Sequence, residues 1–122
     1  MYDDPYAEFL GMELKKVEAG YACVTMKIEK HMLNFNGSAN GGAIFSLADY
    51  AFAVASNSHG QAAMGITMTM HYLEAGRSGQ HLTAVAVEEK EPGRLGLYRI
   101  EVKNEDEDLI ALAEGMVYRK KK

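Results

Sequence analysis

A long segment that is almost free of charge restricts the fold of this chain more than any other feature. From His31 to Leu73 the sequence runs for 43 residues with a single Asp, Glu, Lys or Arg, which is Asp49. The flanking segments hold the other 29 such residues. A helix or strand that is buried on all sides loses its polar face. The segment therefore predicts a central element that is wrapped by the rest of the chain.

Residues 43–56 are predicted to form a long helix at the centre of this segment. They are rich in Ala and form a run that is too long for one strand. Asn40 or Ser38 is available as the N-cap, and residues 57–60 contain the polar and glycine residues that stop a helix. A short leading helix is predicted over residues 4–10, with Asp4 as its cap and Pro5 at its first position.

The remainder of the chain reads as six strands separated by turns. Residues 21–29 alternate well, with Ala22, Val24, Met26 and Ile28 on one face. The predicted strands are residues 12–17, 21–29, 63–73, 81–89, 95–104 and 109–118. Turns are predicted at residues 18–20, 74–79, 92–93 and 104–108, and connections this short predict that consecutive strands are antiparallel neighbours. The sequence thus predicts an α+β fold in one domain, residues 1–122, with an antiparallel sheet of five to six strands around one helix.

Charge and cysteine content exclude several classes of protein. A net charge of −4 argues against a nucleic-acid partner, because no basic surplus exists to neutralise phosphates. The longest apolar stretch, residues 41–57, is shorter than the ~20 residues that a membrane span needs and contains Asp49. The single cysteine, Cys23, fits a reducing compartment, and Asp3, Asp4 and Pro5 interrupt any signal-peptide pattern. A cytoplasmic location without membrane contact is expected.

Asp49 is the first candidate catalytic residue. A carboxylate on an apolar helix costs several kcal/mol unless it is paired or reaches water, and no Lys or Arg lies within 18 residues of it in sequence. One interpretation is structural, with the carboxylate bound by backbone amides or by a distant arginine. The other is functional, with Asp49 lining a cleft as a general base or nucleophile whose basicity is raised by partial loss of water.

Gly41 and Gly42 provide a candidate oxyanion site at the start of the same helix. The first amides of a helix have no partner within it, glycine lets a ligand approach the backbone, and the helix dipole favours negative charge there. An ordinary glycine-rich helix entry is the alternative. Asp49 lies 8 residues beyond Gly41, which is roughly 12 Å along a helix axis. One carbonyl cannot contact both, so joint action requires two subunits and predicts active sites shared across a homodimer.

The segment from Asn34 to Asp49 resembles a known family. It reads Asn34-x-x-Gly37-x-x-Asn40-Gly41-Gly42, then six residues, then Asp49. This is similar to the Asn-x-x-Gly-x-x-His-Gly-Gly pattern, six residues, then Asp, of hotdog-fold thioesterases of the PaaI (phenylacetic acid degradation) type. Residues 10–13 and 72–76 extend the resemblance over almost the whole chain.

The resemblance implies the hotdog fold and hydrolysis of acyl-CoA thioesters, with aryl, arylacetyl or short-to-medium acyl groups, to free acid and CoA. It also implies a homotetramer and no metal or organic cofactor. By position, Gly41 would polarise the carbonyl, Asn34 would orient the thioester or the water, and Asp49 of the partner subunit would act as base or nucleophile. Asn40, Gly42 and Thr67 would contact the substrate.

Two positions depart from the family pattern. Asn40 stands where the family has His, and an Asn side chain can cap a helix but cannot carry a proton. Thr67, with Thr69 second, is the best candidate for a hydroxyl that positions water, and a plain strand threonine is the alternative. A non-catalytic protein that binds or senses acyl-CoA on the same fold is the competing function.

Overall fold

The computed structural model describes residues 2–89 and 93–120. Two α-helices and six strands follow one another along the chain, with a 3-10 turn at Lys30–Met32 that the sequence did not indicate. The helices are α1 (Pro5–Phe9) and α2 (Gly41–Ser56). The strands are β1 (Glu13–Glu18), β2 (Tyr21–Lys27), β3 (Ala63–Tyr72), β4 (His81–Glu88), β5 (Leu95–Lys103) and β6 (Leu109–Arg119). Pro92, in the predicted turn at residues 92–93, lies outside the described residues.

All six strands form one antiparallel sheet in the order β1-β2-β4-β5-β6-β3. This confirms the predicted sheet with one long helix, but the predicted pairing of β3 with β4 is wrong. β3 pairs with β6 at the far edge instead. The connection between β3 and β4 does not close a hairpin, because its backbone bonds elsewhere. The Gly76 carbonyl accepts from the Ala39 amide at 2.8 Å, and the Gln80 carbonyl accepts from the Ile28 amide at 2.8 Å.

The core lies between α2 and one face of the sheet, chiefly β2, β4 and β5. The alternation predicted for β2 is confirmed, because Ala22, Val24, Met26 and Ile28 are all buried. From α2, the core receives Ile44, Leu47, Ala48, Ala51, Phe52 and Ala55. Small residues on the helix let it approach the strands closely, and the larger side chains fill the space between.

The prediction of a helix buried on all sides is wrong for α2. Gly42, Asp49 and Ala53 are exposed along one stripe, because the sheet covers only the opposite side. β3 is exposed over most of its length, with Ile66 51% and Tyr72 52% accessible. Residues 31–73 thus contribute both to the core and to the exposed surface of the chain. None of the helices in the described ranges is long and apolar enough to cross a membrane.

A buried polar cluster lies beyond the carboxyl end of α2. Arg119 is 1% exposed, and its Nη2 donates to Glu88 Oε2 at 2.9 Å and to the Tyr98 hydroxyl at 2.8 Å. The other Glu88 oxygen lies 3.0 Å from His59 Nε2. Burial, and then the negative charge of Glu88, raises the pKa of Tyr98 to about 12. We call Glu88, Arg119, Tyr98 and His59 the carboxyl-end cluster.

Candidate active site

Asn34 holds the turn that precedes α2 in a fixed shape. Its Oδ1 accepts from the amides of Asn36 at 2.9 Å and Ser38 at 3.1 Å, which is the behaviour expected of a turn asparagine. Gly37 has φ +82°, a left-handed conformation that suits glycine. The Asn34 side-chain oxygen is therefore occupied. Its Nδ2 group donates to none of the described residues and is available to a ligand.

The first two amides of α2 differ in what they contact. Asn40 is the N-cap, and its Oδ1 accepts from the Gly42 amide at 2.7 Å. Within the described part of the chain, the Gly41 amide donates to no acceptor. Of the two glycines that the sequence offered as oxyanion donors, only Gly41 therefore keeps a free N–H, at the positive end of the helix dipole.

A cavity of about 410 Å³ opens beside this helix start. Asn34, Ser38, Ala39, Gly41 and Ile44 form one side of it, and residues 72–76 form the other. The structure thus brings together two of the predicted site residues, Asn34 and Gly41. Asp49 and Thr67 do not line this cavity, and neither do Asn40 or Gly42.

Asp49 lies on the open stripe of α2. Its carboxylate accepts no hydrogen bond and forms no ion pair with any residue in ranges 2–89 and 93–120, so within one protomer nothing supports the structural interpretation, with bound amides or an arginine. The carboxylate reaches solvent, but its crowded surroundings desolvate it in part. This desolvation first, and then the negative charge of Asp4, raises the pKa of Asp49 above the usual 3.8.

Gly41 and Asp49 lie on one unbroken helix. α2 is continuous from Gly41 to Ser56, so the 8 residues between Gly41 and Asp49 again correspond to roughly 12 Å of rise. A base needs to be within about 3 Å of the proton that it takes, or one water away. Gly41 and Asp49 of one protomer therefore cannot serve one carbonyl.

Thr67 is exposed on β3, directly after a bulge between Gly65 and Thr67. Bulges change the direction of the following side chain, but the Thr67 hydroxyl bonds to no described residue. Tyr72, at the end of the same strand, was not singled out from the sequence. Its hydroxyl donates to the Gly41 carbonyl at 3.0 Å. No spacing rule marks such a contact, because β3 and α2 meet only through the tertiary fold.

No group of three or more His, Cys, Asp or Glu residues in the described ranges is arranged to hold a metal ion. The cavity presents a free amide and an amide side chain, and the stripe of α2 presents a carboxylate with a raised pKa. These groups are suited to stabilising an oxyanion and to moving a proton.

Comparison with known proteins gives consistent matches. A family model described as the thioesterase superfamily matches residues 36–111. The acyl-coenzyme A thioesterase PaaI of Escherichia coli is 40% identical over 120 residues, which is 98% of this chain and 86% of that protein. The solved structure of E. coli PaaI superposes with a TM-score of 0.94 at 39% identity, with the same coverage of 98% and 86%.

Two further solved structures are similar. A mutant of the phenylacetic acid degradation protein PaaI from Thermus thermophilus has a TM-score of 0.92 at 37% identity, covering 96% of this chain and 100% of that one. A Streptococcus mutans protein solved with bound acetyl-CoA has a TM-score of 0.87 at 25% identity, covering 91% and 90%.

Proposed function

This chain belongs to the thioesterase superfamily, and on that premise we propose that it hydrolyses acyl-CoA thioesters to a free acid and CoA. Its fold is the α+β hotdog fold that the resemblance implied. The observation that carries the proposal is the free Gly41 amide, which lines a cavity together with Asn34 at the amino end of α2.

Gly41 is proposed as the oxyanion donor. As water or a carboxylate adds to the thioester carbon, negative charge develops on the carbonyl oxygen, and a fixed N–H at a helix start stabilises this charge. Asn34 Nδ2, on the same side of the cavity, orients the thioester or the attacking water. Asn40 and Gly42 act through the cap that they form with each other, which leaves Gly41 as the accessible amide.

Asp49 is proposed as the general base or the nucleophile. As a base, it takes a proton from water while the water oxygen bonds to the acyl carbon. The C–S bond then breaks, and the CoA thiolate is protonated as it leaves. As a nucleophile, its carboxylate oxygen bonds to the acyl carbon, CoA leaves, and water hydrolyses the anhydride. Because its pKa is raised, the ionised form is lost at a higher pH than for an ordinary aspartate, which moves the acid limb of kcat/KM to higher pH.

The two halves of the site are proposed to come from two subunits of a homodimer. β3 supports this proposal, because it is an edge strand without a single Asp, Glu, Lys or Arg. The opposite edge, β1, has four charged residues of six. Charged edges resist pairing with other strands, whereas an exposed apolar edge is a template for pairing. A second copy of the chain is the proposed occupant, and Thr67 lies on this strand. The homotetramer implied by the resemblance remains a prediction.

Acyl-CoA is the proposed substrate class, in keeping with the E. coli relative, which is an acyl-coenzyme A thioesterase, and with the acetyl-CoA bound to the S. mutans protein. The choice between aryl or arylacetyl groups and short-to-medium acyl chains is left to measurement. Activity without metal or organic cofactor, a single domain over residues 1–122 and a cytoplasmic location are further predictions.

A thiol-release assay over a panel of acyl-CoAs tests the proposed reaction. We expect Asp49→Asn and Asp49→Ala to lower kcat by about 10²–10⁴, the usual contribution of a general base. Asp106→Asn, which removes an exposed carboxylate from the β5–β6 hairpin, is the matched control. A wild type that binds acyl-CoA without releasing CoA from any of them establishes the non-catalytic binder instead.

Mixing two inactive variants tests the shared site. Asp49→Ala removes the carboxylate and Asn34→Ala removes the amide, so each homodimer has no complete site. In a heterodimer, one of the two sites receives both intact residues. We expect partial recovery of CoA release after subunit exchange. Exchange that is proven by differently tagged subunits but gives no recovery rules out the shared site.

A further inference from the structure

Tyr72 connects the end of β3 to the start of α2. Its phenolic hydroxyl donates to the Gly41 carbonyl at 3.0 Å. Tyr72 is the last residue of β3 and lies opposite Ala111 of β6. The amides of Leu73 and Glu74, which follow it, both donate to the Ile110 carbonyl, at 2.8 and 3.2 Å. The backbone behind Tyr72 is therefore fixed to β6, and the hydroxyl transfers this fixed position to Gly41.

The ring of Tyr72 also restricts Gly41 by direct packing. A Cβ added at Gly41 would lie 3.3 Å from Tyr72 Cζ and 3.4 Å from its hydroxyl oxygen. The ring edge thus covers the α-carbon of Gly41. Glycine has more backbone freedom than any other residue, and at this position a hydrogen bond and a ring contact both limit that freedom.

We infer that Tyr72 is a positioning residue for the reaction, acting through Gly41. This inference rests on the proposed function, in which the Gly41 amide receives the oxygen of the thioester. The Gly41 amide has no acceptor of its own among the described residues, so no hydrogen bond to that N–H sets its direction. The carbonyl of the same planar peptide unit, that of Asn40, accepts from the amides of Ala43 at 2.9 Å and Ile44 at 3.3 Å. The Tyr72 contact holds the other side of the residue, at the α-carbon and the Gly41 carbonyl. The contact between Tyr72 and Gly41 lies at the cavity itself, because both residues line it.

The expected effect on rate follows from how oxyanion donors work. Removing a whole donor costs about 10²–10³ in kcat, and a misplacement of 1 Å costs on the order of 10². Tyr72→Phe keeps the ring and removes only the hydroxyl, so Gly41 remains present but less fixed. We expect kcat to fall roughly ten-fold, which lies between no change and the effect of losing a whole donor. We expect KM to stay unchanged, because the cavity keeps its shape.

Tyr118→Phe is the matched control. The Tyr118 hydroxyl also has a side-chain partner, Arg94 Nη1 at 3.2 Å, and the residue is partly exposed, but it lies on β6 away from the cavity. Each variant is assayed on one short and one long acyl-CoA. We expect Tyr72→Phe to lower kcat equally for both, because Gly41 contacts the carbonyl that they share. A loss that differs between the two chains makes Tyr72 a wall of the acyl pocket and overturns the inference, as does a kcat equal to that of the control.

A double variant shows whether Tyr72 acts through Gly41. Gly41→Ala forces the ring and the backbone apart by a few tenths of an ångström, so the position that Tyr72 maintains is already disturbed. We expect Tyr72→Phe to have little further effect on kcat in that background. Two effects that multiply fully indicate independent roles and overturn the inference.

A measurement without substrate separates this inference from the proposed reaction. The 15N order parameter of the Gly41 amide reports its motion directly. We expect it to fall in Tyr72→Phe and to be unchanged in Tyr118→Phe. If wild type releases no CoA, the proposed function fails and Tyr72 has no catalytic part, even where the order parameter shifts. If wild type is active but the order parameter and kcat of Tyr72→Phe equal those of wild type, only the inference on Tyr72 fails.

Discussion

The polar groups at the two ends of α2 differ in whether they have hydrogen-bond partners within the chain. At the amino end, the Gly41 amide and the Asn34 side-chain nitrogen face a cavity and have no acceptor in the described part of the chain. At the carboxyl end, the Glu88 carboxylate contacts Arg119, Tyr98 and His59 in the cluster defined above. The first end has free donors that face a cavity, and the second has buried charges with several partners.

This difference separates groups that stabilise the fold from groups that are available for chemistry. A buried charge is tolerated only when it is paired and hydrogen-bonded, and in the carboxyl-end cluster every fully buried side-chain oxygen and nitrogen atom has a partner except Arg119 Nε. Unpaired polar groups lower stability, so they persist where a ligand completes them. The amino end of α2 has such unpaired polar groups. Asp49 is likewise unpaired among the described residues, and its pKa is raised.

The largest effect is expected at the carboxyl end. Glu88→Gln leaves the buried guanidinium of Arg119 without its counter-charge, and breaking a buried pair in this way costs about 3–5 kcal/mol of unfolding free energy. Glu101→Gln is the control, because Glu101 pairs with Arg99 and Lys103 at the surface, where the cost is about 0–1 kcal/mol. Urea unfolding measures both. Equal losses in the two variants contradict the comparison, as does a lower kcat for folded Glu88→Gln.

The same substitution at each end gives the second test. A Cβ at Gly96 would lie 2.8 Å from both terminal nitrogens of Arg119, which are held by hydrogen bonds and cannot move aside. Gly96→Ala is expected to cost about 1–3 kcal/mol of stability with little change in kcat. Gly41→Ala is expected to change stability by less than about 1 kcal/mol and to lower kcat roughly ten-fold. Unfolding measures the stability and CoA release measures kcat. A larger loss of stability in Gly41→Ala together with a larger loss of kcat in Gly96→Ala contradicts the comparison.

The N-cap gives a smaller, intermediate effect. Asn40→Ala removes the acceptor of the Gly42 amide, and loss of such a cap costs about 1 kcal/mol. It also frees a second amide at the amino end. Asn40→Ser, which keeps a capping oxygen, is the control and is expected to retain wild-type stability. Thermal unfolding measures the difference, and an Asn40→Ala variant that matches Asn40→Ser shows that the cap does not stabilise α2.

The smallest effect concerns the pH dependence of stability at Asp49. Its pKa is raised on folding, so the folded chain binds this proton more tightly than the unfolded chain does. The resulting stability is complete below pH 3.8 and is lost as pH rises through the folded pKa. At pH 7 we therefore expect Asp49→Asn to melt slightly above wild type, and the difference to close in acid. Asp106→Asn also loses one negative charge and serves as the control. An equal gain in melting temperature in that variant shows that the gain comes from the change in net charge and not from the surroundings of Asp49.

Much of the local structure follows from residues next to one another in sequence. Asn40, one of the two predicted N-caps, starts α2 two residues before the predicted residue 43, and Asn57 ends it as predicted. Asp4 with Pro5 marks the start of α1. These signals are local because a cap bonds to amides two or three residues away. The alternation in β2 is similarly local, and it identifies the buried face correctly.

Such local signals could not predict which strand β3 pairs with. Alternation states which face of a strand is buried but not which strand lies beside it, and the connection of residues 73–80 resembles a hairpin turn in composition. The open stripe of α2 was missed for a related reason. A residue such as Ala53, on the stripe beside Asp49, reads as core whether a sheet or a second chain covers it.

Of the site residues predicted from the sequence, Asn34 and Gly41 line one cavity, whereas Asp49 and Thr67 do not. The residues alone offered both Gly41 and Gly42 as oxyanion donors, and only the family resemblance gave the carbonyl to Gly41. The cap by Asn40 distinguishes them, because it occupies one amide and leaves the other free. Tyr72 could not be found, since its contact with Gly41 joins residues 31 positions apart.

The pairing of β3 with the last strand also has a consequence for biosynthesis. Residues 72–76 wall the cavity, and they are held in place by hydrogen bonds to Ile110 at the start of β6. A ribosome makes β6 after the other described elements. Until β6 leaves the exit tunnel, β3 lacks its neighbour in the sheet and the pocket lacks one side. Translation that stops early therefore yields a chain that has every proposed catalytic side chain and no place to use them.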